Sequence, residues 1–266
     1  MRRLIAIDCR GAALGATLDS ADGGTGLVLV TGGSQTRIGS HRMYERLANA
    51  LAADRISCLR YDRRGVGDSE GEDPGYRGSA PDLAAASAAL RAVCPAVTRL
   101  YGFGLCDGAT AIALFGRQAD LDGLILVNPW LVETESDAPP PAAIRRHYRE
   151  RLTSLQGWKD ILSGAVDYRK LLRGILKLFR RQDRSLANEV IDALVRGRLP
   201  ARLILATGDA TAIAAEAELD KSHFKQLLTD ALKLDTDSHT FARPGDEESL
   251  RTAVLAAIRE LESQAV

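Results

Sequence analysis

Residues 99–115 read RLYGFGLCDGATAIALF, and this segment is the strongest indication of how the chain folds. Residues 99–103 predict a buried strand, and residues 109–115 predict the helix that follows it. Between them, Gly104-Leu105-Cys106-Asp107-Gly108 fits the pattern G-x-nucleophile-x-G of a sharp strand-to-helix turn. A Cβ at Gly104 or Gly108 would collide with the neighbouring turn, so the pattern requires glycine at both positions. The N-terminus of the following helix would favour the thiolate form of Cys106. The alternative is a glycine-rich turn that holds an inert, buried cysteine.

Further apolar runs, each followed by a helical pattern, extend this organisation along the chain. Strands are predicted at residues 27–31, 56–61, 124–128 and 202–206, and a sixth at 231–234. Runs that are apolar throughout are typical of a parallel sheet covered on both faces, so the alternation predicts a doubly wound α/β fold. Between residues 128 and 202 there is no strand pattern. The predicted architecture is therefore a mostly parallel α/β core, residues 1–132 and 200–266, with a helical cap, residues 133–199, inserted between two strands.

The composition excludes several classes of protein. The chain has 35 basic and 35 acidic residues among 266, and 45% of its residues are hydrophobic. These values exclude a disordered chain and a nucleic-acid-binding protein that relies on overall positive charge. The four cysteines form no CxxC pair and no metal-like spacing, so we expect reduced thiols and neither a metal nor an organic cofactor. No segment is typical of a signal peptide or a membrane-spanning helix, which predicts a cytoplasmic protein.

The predicted cap is strongly basic. Residues 142–184 contain 12 Lys and Arg against 4 Asp and Glu, a net charge of +8, which leaves −8 for the rest of the neutral chain. Within this segment, residues 168–181 (YRKLLRGILKLFRR) predict an amphipathic helix surrounded by basic residues. Two interpretations stay open: a cap helix that packs its apolar face over the site, or a basic cap that contacts an anionic membrane surface or substrate.

A cysteine nucleophile requires a base, and the base requires a carboxylate that orients it. Asp209 follows the predicted strand at residues 202–206, and His239 follows the last short strand. Both lie on loops at strand ends, where a parallel sheet places its active site. The order nucleophile, acid, histidine therefore predicts a triad of Cys106, Asp209 and His239. The alternative acids are Glu133 and Glu135.

Acyl chemistry also requires an oxyanion hole, which stabilises the charge that develops on the carbonyl oxygen. The backbone amide of Asp107 is one predicted donor, because this residue follows the nucleophile. The second donor is predicted at Gly33, with Ser34 as the alternative, in the turn after the strand at residues 27–31. The Asp107 carboxylate opposes thiolate formation but is suited to capping the helix, so its role stays open.

Four motifs together resemble the α/β-hydrolase superfamily, and the resemblance extends over nearly the whole chain. They are DRRGVGDS at residues 62–69, GGSQTRIGSHR at residues 32–42, the Cys106 turn and Asn128-Pro129-Trp130. More narrowly, the last three resemble the type 1 hydrolases associated with the exosortase A system, bacterial proteins that are encoded with exopolysaccharide and protein-sorting genes. The resemblance implies an α/β-hydrolase fold and a Cys-Asp-His hydrolase.

Polar residues near the predicted oxyanion turn are candidates for binding the substrate. Arg37, His41 and Arg42 are suited to a substrate carboxylate or phosphate, or they begin a helix as solvated charges. Ser34 and Trp130 complete the set of predicted substrate-binding residues.

The predicted function is hydrolysis of an ester or thioester through a covalent Cys106 thioester, with His239 as general base and then acid and Asp209 orienting it. The expected partner is a small-molecule, lipid-linked or carrier-linked acyl substrate, and no nucleic acid is expected. Two alternatives remain: an acyltransferase with the same nucleophile, and a catalytically degenerate hydrolase that serves as a binding or scaffold component of an envelope-biogenesis assembly.

Overall fold

A computed structural model describes residues 1–132, 185–221 and 225–264 of the chain. These residues contain an eight-stranded sheet with the strand order β1-β2-β4-β3-β5-β6-β7-β8. The strands are β1 (Arg2–Cys9), β2 (Ala12–Asp19), β3 (Thr25–Val30), β4 (Ile56–Tyr61), β5 (Arg99–Leu105), β6 (Gly123–Val127), β7 (Ala201–Ala206) and β8 (Leu232–Leu234). The helices are α1 (Met43–Ala53), α2 (Ala80–Val93), α3 (Asp107–Phe115), α4 (Leu186–Gly197), α5 (Ala210–Asp220), α6 (Lys225–Thr229) and α7 (Asp246–Ser263), with short 3-10 turns at Ser40–Arg42 and Tyr76–Gly78.

The sheet is mostly parallel, as predicted. Strands β3 to β8 pair in parallel, and only β2 runs antiparallel to its neighbours β1 and β4. In this register Val30 at the end of β3 lies beside Gly104 of β5, and Leu105 lies beside Val127 of β6. The carboxyl ends of three central strands therefore meet at the Cys106 turn.

Helices cover both faces of the sheet, so the predicted doubly wound arrangement is confirmed. Side chains alternate along a strand, and β3 shows the consequence: Val28 belongs to one apolar cluster, and Leu27 and Leu29 belong to another. Residues of α2, α3, α4 and α5 pack in the first cluster, and residues of α1 and α7 pack in the second. Burial of these aliphatic side chains stabilises the fold by roughly 1.5–3 kcal/mol for each fully buried residue.

Helix α4 lies within the residues predicted as the cap, but it packs on the core. Its buried residues Leu186, Val190 and Leu194 share a cluster with Ile112 of α3. The Ser185 side chain caps the helix by accepting a hydrogen bond from the backbone amide of Asn188 at 3.3 Å. Residues 185–199 are thus part of the layer that supports α3. The rest of the predicted cap, residues 133–184, lies outside the described residues. In the described part of the chain, no helix is long and apolar enough to span a bilayer.

Candidate active site

Cys106 lies in the sharp turn between β5 and α3 and has a strained backbone. Its φ of 60° and ψ of −126° lie in a region that favours glycine, and its side chain is partly exposed. Neighbouring segments hold this conformation in place. The Cys106 amide donates to the carbonyl oxygen of Val127 at 3.0 Å, and its carbonyl oxygen accepts from the amide of Trp130 at 3.1 Å. Backbone strain of this kind is found at sites where one side chain must be presented in one direction.

The two glycines of the turn are sterically required, as the sequence pattern indicates. A Cβ at Gly104 would lie 2.5 Å from the carbonyl carbon of Gly108. A Cβ at Gly108 would lie 2.5 Å from the carbonyl oxygen of Val30. Both contacts are with backbone atoms that cannot move aside, so the turn can form only with glycine at these positions.

The structure brings the three predicted triad residues together. The His239 Nδ1 lies 3.0 Å from Asp209 Oδ1, and the imidazole also hydrogen-bonds to the Cys106 side chain. The other oxygen of the buried Asp209 carboxylate accepts the amide of Ala212 at 3.0 Å, which caps helix α5. One aspartate therefore begins a helix and contacts the histidine. Glu133 and Glu135, the alternative acids, lie outside the described residues.

The loops that carry Asp209 and His239 are joined by backbone hydrogen bonds. After β7 and β8 end, the amides of Thr207 and Gly208 donate to the carbonyl oxygens of Leu234 and Thr236, both at 2.9 Å. The loops approach so closely that a Cβ at Gly208 would lie 2.7 Å from the Cβ of Asp237. This contact fixes the distance between the acid and the histidine.

The electrostatics of the site favour a protonated His239. Burial alone would lower the pKa of His239, but its hydrogen bonds to Asp209 and Cys106 raise that pKa to about 10. A protonated imidazole is the form of histidine that can give a proton to a leaving group. This arrangement can hold a nucleophile and a proton donor at the same carbonyl group.

The two predicted oxyanion donors also lie together, and a carboxylate occupies the space between them. Gly33 has a φ of 58°, and its amide donates to Asp107 Oδ1 at 2.6 Å. The same carboxylate accepts hydrogen bonds from the amides of Asp107 itself and of Gly108. Burial raises the pKa of Asp107, and the three amides and the positive charge of Arg63 oppose this increase.

The predicted substrate role of Arg37 is replaced by a structural one. Its guanidinium pairs with the fully buried carboxylate of Asp62, lies 2.7 Å from Asp68 and donates to the Thr17 hydroxyl at 3.1 Å. These contacts join the turn after β3 to the DRRGVGDS block, because Asp62 and Asp68 both belong to it. A substrate anion would have to compete with two aspartates for this arginine.

Of the other predicted binding residues, Arg42 and His41 are exposed to solvent, whereas Trp130 is half-buried beside the Cys106 turn. Arg42 is exposed and pairs with Glu45 at 2.5 Å, and the neighbouring His41 is also exposed, so the structure favours solvated charges at the start of α1. The half-buried Trp130 supports the Cys106 turn through its backbone, and its carbonyl oxygen accepts from Thr110 at 2.6 Å. The Ser34 hydroxyl hydrogen-bonds to the carboxylate of Asp73.

Arg63 and Asp73 form part of the site that the sequence analysis missed. Arg63 binds Asp73 through two hydrogen bonds of 2.7 and 3.0 Å, and its side chain is only 11% exposed. Arg63, Tyr76 and Gly108 line a small cleft, and Thr31 at the end of β3 also belongs to its wall. The available signal was the position of Arg63 in the DRRGVGDS block, which the sequence analysis uses only as a motif of the superfamily. Within the described ranges, no three His, Cys, Asp or Glu residues are grouped so that they could hold a metal ion.

Comparison with known proteins identifies the family. The sequence profile of the alpha/beta hydrolase family matches residues 27–247. An esterase of Pyrococcus furiosus superposes with a TM-score of 0.65 and 15% identity, over 98% of this chain and 91% of that one. A serine hydrolase without a lid from Xanthomonas campestris (TM-score 0.60, 18% identity, 97% and 94% coverage) has a similar fold. So does Est1E of Butyrivibrio proteoclasticus bound to ferulic acid (0.60, 16%, 96% and 99%).

A comparison with curated protein sequences found no significant match. The solved structures share too little sequence identity to indicate more than a common fold. The match of the family profile covers most of the chain, and the sheet order and the strained turn at Cys106 agree with it. The chain belongs to the alpha/beta hydrolase family.

Proposed function

We propose that this protein is an ester or thioester hydrolase whose nucleophile is Cys106. The observation that carries the proposal is the hydrogen-bond chain from Cys106 through His239 to Asp209, in which the His239 Nδ1 lies 3.0 Å from the carboxylate. Family membership supplies the hydrolase class. The cysteine is the new element, because the relative from Xanthomonas campestris is described as a serine hydrolase and this chain has Cys106 in its strained strand-to-helix turn.

The proposed reaction has two steps. In acylation the Cys106 thiolate attacks the carbonyl carbon, and the bond to the leaving oxygen or sulfur breaks as His239 gives its proton to that atom. In deacylation His239 takes a proton from water, the resulting hydroxide attacks the thioester, and the carbon–sulfur bond breaks to restore the thiolate. Asp209 holds the imidazole in the orientation that both steps require.

The nature of the acyl substrate is supported by sequence alone. We extend the proposal to a cytoplasmic small-molecule, lipid-linked or carrier-linked acyl compound of exopolysaccharide or protein-sorting systems, on the basis of the resemblance to the exosortase-associated type 1 hydrolases. The basic segment at residues 142–184, which would contact an anionic lipid or substrate, lies outside the described residues. Transfer of the acyl group to an acceptor other than water would share the first step.

Substitution of the cysteine tests the proposal. Cys106→Ala should lower kcat for p-nitrophenyl butyrate and for an N-acetylcysteamine thioester by at least about 10³-fold, since the nucleophile is lost. Cys94→Ala is the matched control, because Cys94 is buried away from the site and should leave turnover unchanged. Cys106→Ala turnover at the wild-type rate would contradict the mechanism and would favour a scaffold role for the triad residues.

A further inference from the structure

The Asp107 carboxylate occupies the position in which the proposed reaction requires a substrate oxygen. Its Oδ1 accepts the Gly33 amide at 2.6 Å, and the carboxylate also accepts the amides of Asp107 and Gly108. The fit is close, because a Cβ at Gly32 would lie 2.6 Å from this oxygen. The same Gly33 and Asp107 amides are the donors expected for the oxyanion of an acyl-transfer intermediate.

A carboxylate is a strong competitor for these amides. Hydrogen bonds to an ionised acceptor are about twice as strong as those between neutral groups. The carbonyl oxygen of a bound ester is neutral before attack, so it is the weaker acceptor at the moment when it must enter the hole. The positive charge of Arg63 acts on Asp107, but Asp73 already binds the Arg63 guanidinium through two hydrogen bonds, so Arg63 does not draw the Asp107 carboxylate away.

We propose that Asp107 is an internal occupant of the oxyanion hole, which the substrate must displace before acylation; the inference rests on the proposed function. Asp107 thereby becomes a specificity-determining residue. A small activated ester contacts little of the protein beyond the reacting carbonyl, so it lacks the binding energy that displacement requires. A substrate with a large acyl group gains that energy from contacts remote from the carbonyl.

Variants at Asp107 test this proposal in two assays on the full chain. The first is the burst of p-nitrophenolate released by p-nitrophenyl acetate or p-nitrophenyl octanoate, which measures acylation. The second is alkylation of Cys106 by iodoacetamide, which requires the thiolate but no oxyanion hole. The ratio of the two rates cancels any effect of the Asp107 charge on the thiolate. Asp107→Asn preserves the shape of the side chain, Asp107→Ala removes the occupant, and the exposed Asp120→Asn is the matched control.

Asp107→Ala should raise the ratio of acetate acylation to alkylation by about tenfold, which corresponds to about 1.4 kcal/mol of barrier. Asp107→Asn should show a smaller rise, the octanoate ester should gain less than the acetate, and Asp120→Asn should show no change. A ratio that stays constant or falls in both Asp107 variants, while Cys106 is still alkylated selectively, would overturn the inference and leave Asp107 as a helix cap. Absence of selective Cys106 alkylation in the wild type would instead overturn the proposed function.

Discussion

At the scale of single residues, the chemistry of the site depends on the proton that His239 holds. The imidazole lies between the carboxylate of Asp209 and the sulfur of Cys106, and both groups act as hydrogen-bond acceptors. In a serine enzyme the resting histidine is neutral and acts first as a base. In the proposed mechanism the nucleophile is a thiolate, so the histidine begins the reaction as an acid and can protonate the leaving group as soon as the carbonyl is attacked.

The raised pKa of His239 predicts a pH-dependent contribution to stability. The pKa is about 10 in the folded chain, compared with 6.5 for an ordinary histidine, so folding favours the protonated form. The contribution is therefore complete below pH 6.5 and is lost as the pH rises towards 10. Urea unfolding of wild type and His239→Gln should show a difference in the free energy of unfolding that shrinks between pH 6.5 and pH 10. A difference that grows over this range would contradict the proposed charge state.

Single residues also show which contacts of the site could be predicted from the sequence and which could not. The proximity of Cys106, Asp209 and His239 was predictable, because these residues follow strand ends in a recognisable order. The partners of Arg37 were not, since Asp62 and Asp68 lie more than twenty residues from it in the sequence and only the folded turn joins them. The Asp107 side chain was ambiguous for the same reason: its acceptor role depends on Gly33, on another strand.

At the scale of secondary-structure elements, the close contact between the loops after β7 and β8 aligns Asp209 with His239. Gly208→Ala would place a Cβ 2.7 Å from the Cβ of Asp237, so the loops must separate. We expect kcat/KM to fall at least about tenfold, because a shift of 1 Å in a catalytic group can cost about a hundredfold. The loss of stability should be about 1–3 kcal/mol.

The matched control for this variant is Gly197→Ala at the end of α4. A Cβ there would lie 3.5 Å from the Cβ of Arg117, which is an ordinary contact. Kinetics and thermal unfolding of the two variants should therefore differ clearly. Full activity in Gly208→Ala would show that the alignment of Asp209 and His239 does not depend on this contact.

The predicted elements differ from the observed ones mainly at the N-terminal edge of the sheet. The five buried strands β3 to β7 and the partly exposed β8 were recognisable from their apolar runs, but the hairpin of β1 and β2 was missed. Strand β1 is mostly exposed and has charged residues at Arg2, Arg3 and Asp8, so it lacks a buried run. The available signal was the Arg10-Gly11 turn, where both residues have positive φ angles of 57° and 84°.

At the scale of the whole molecule, the site is assembled from distant parts of the chain. Cys106 follows β5, Asp209 follows β7, His239 follows β8, and Gly33 follows β3. The parallel sheet brings these segments to one edge, and none of them forms a site alone. The net charge of zero is the sum of +8 in the segment at residues 142–184 and −8 in the rest of the chain. The basic segment is therefore the predicted position for an anionic partner.

Because the site requires the folded sheet, a covalent intermediate at Cys106 should form only in the native chain. The measurement is peptide mass spectrometry after an acid quench of the protein with p-nitrophenyl butyrate, with and without urea. We predict a butyryl thioester on Cys106 in the native protein, little on the buried Cys9, Cys58 and Cys94, and no preference for Cys106 in urea. Hydrolysis of the ester by native protein in which Cys106 never carries the acyl group would contradict the mechanism.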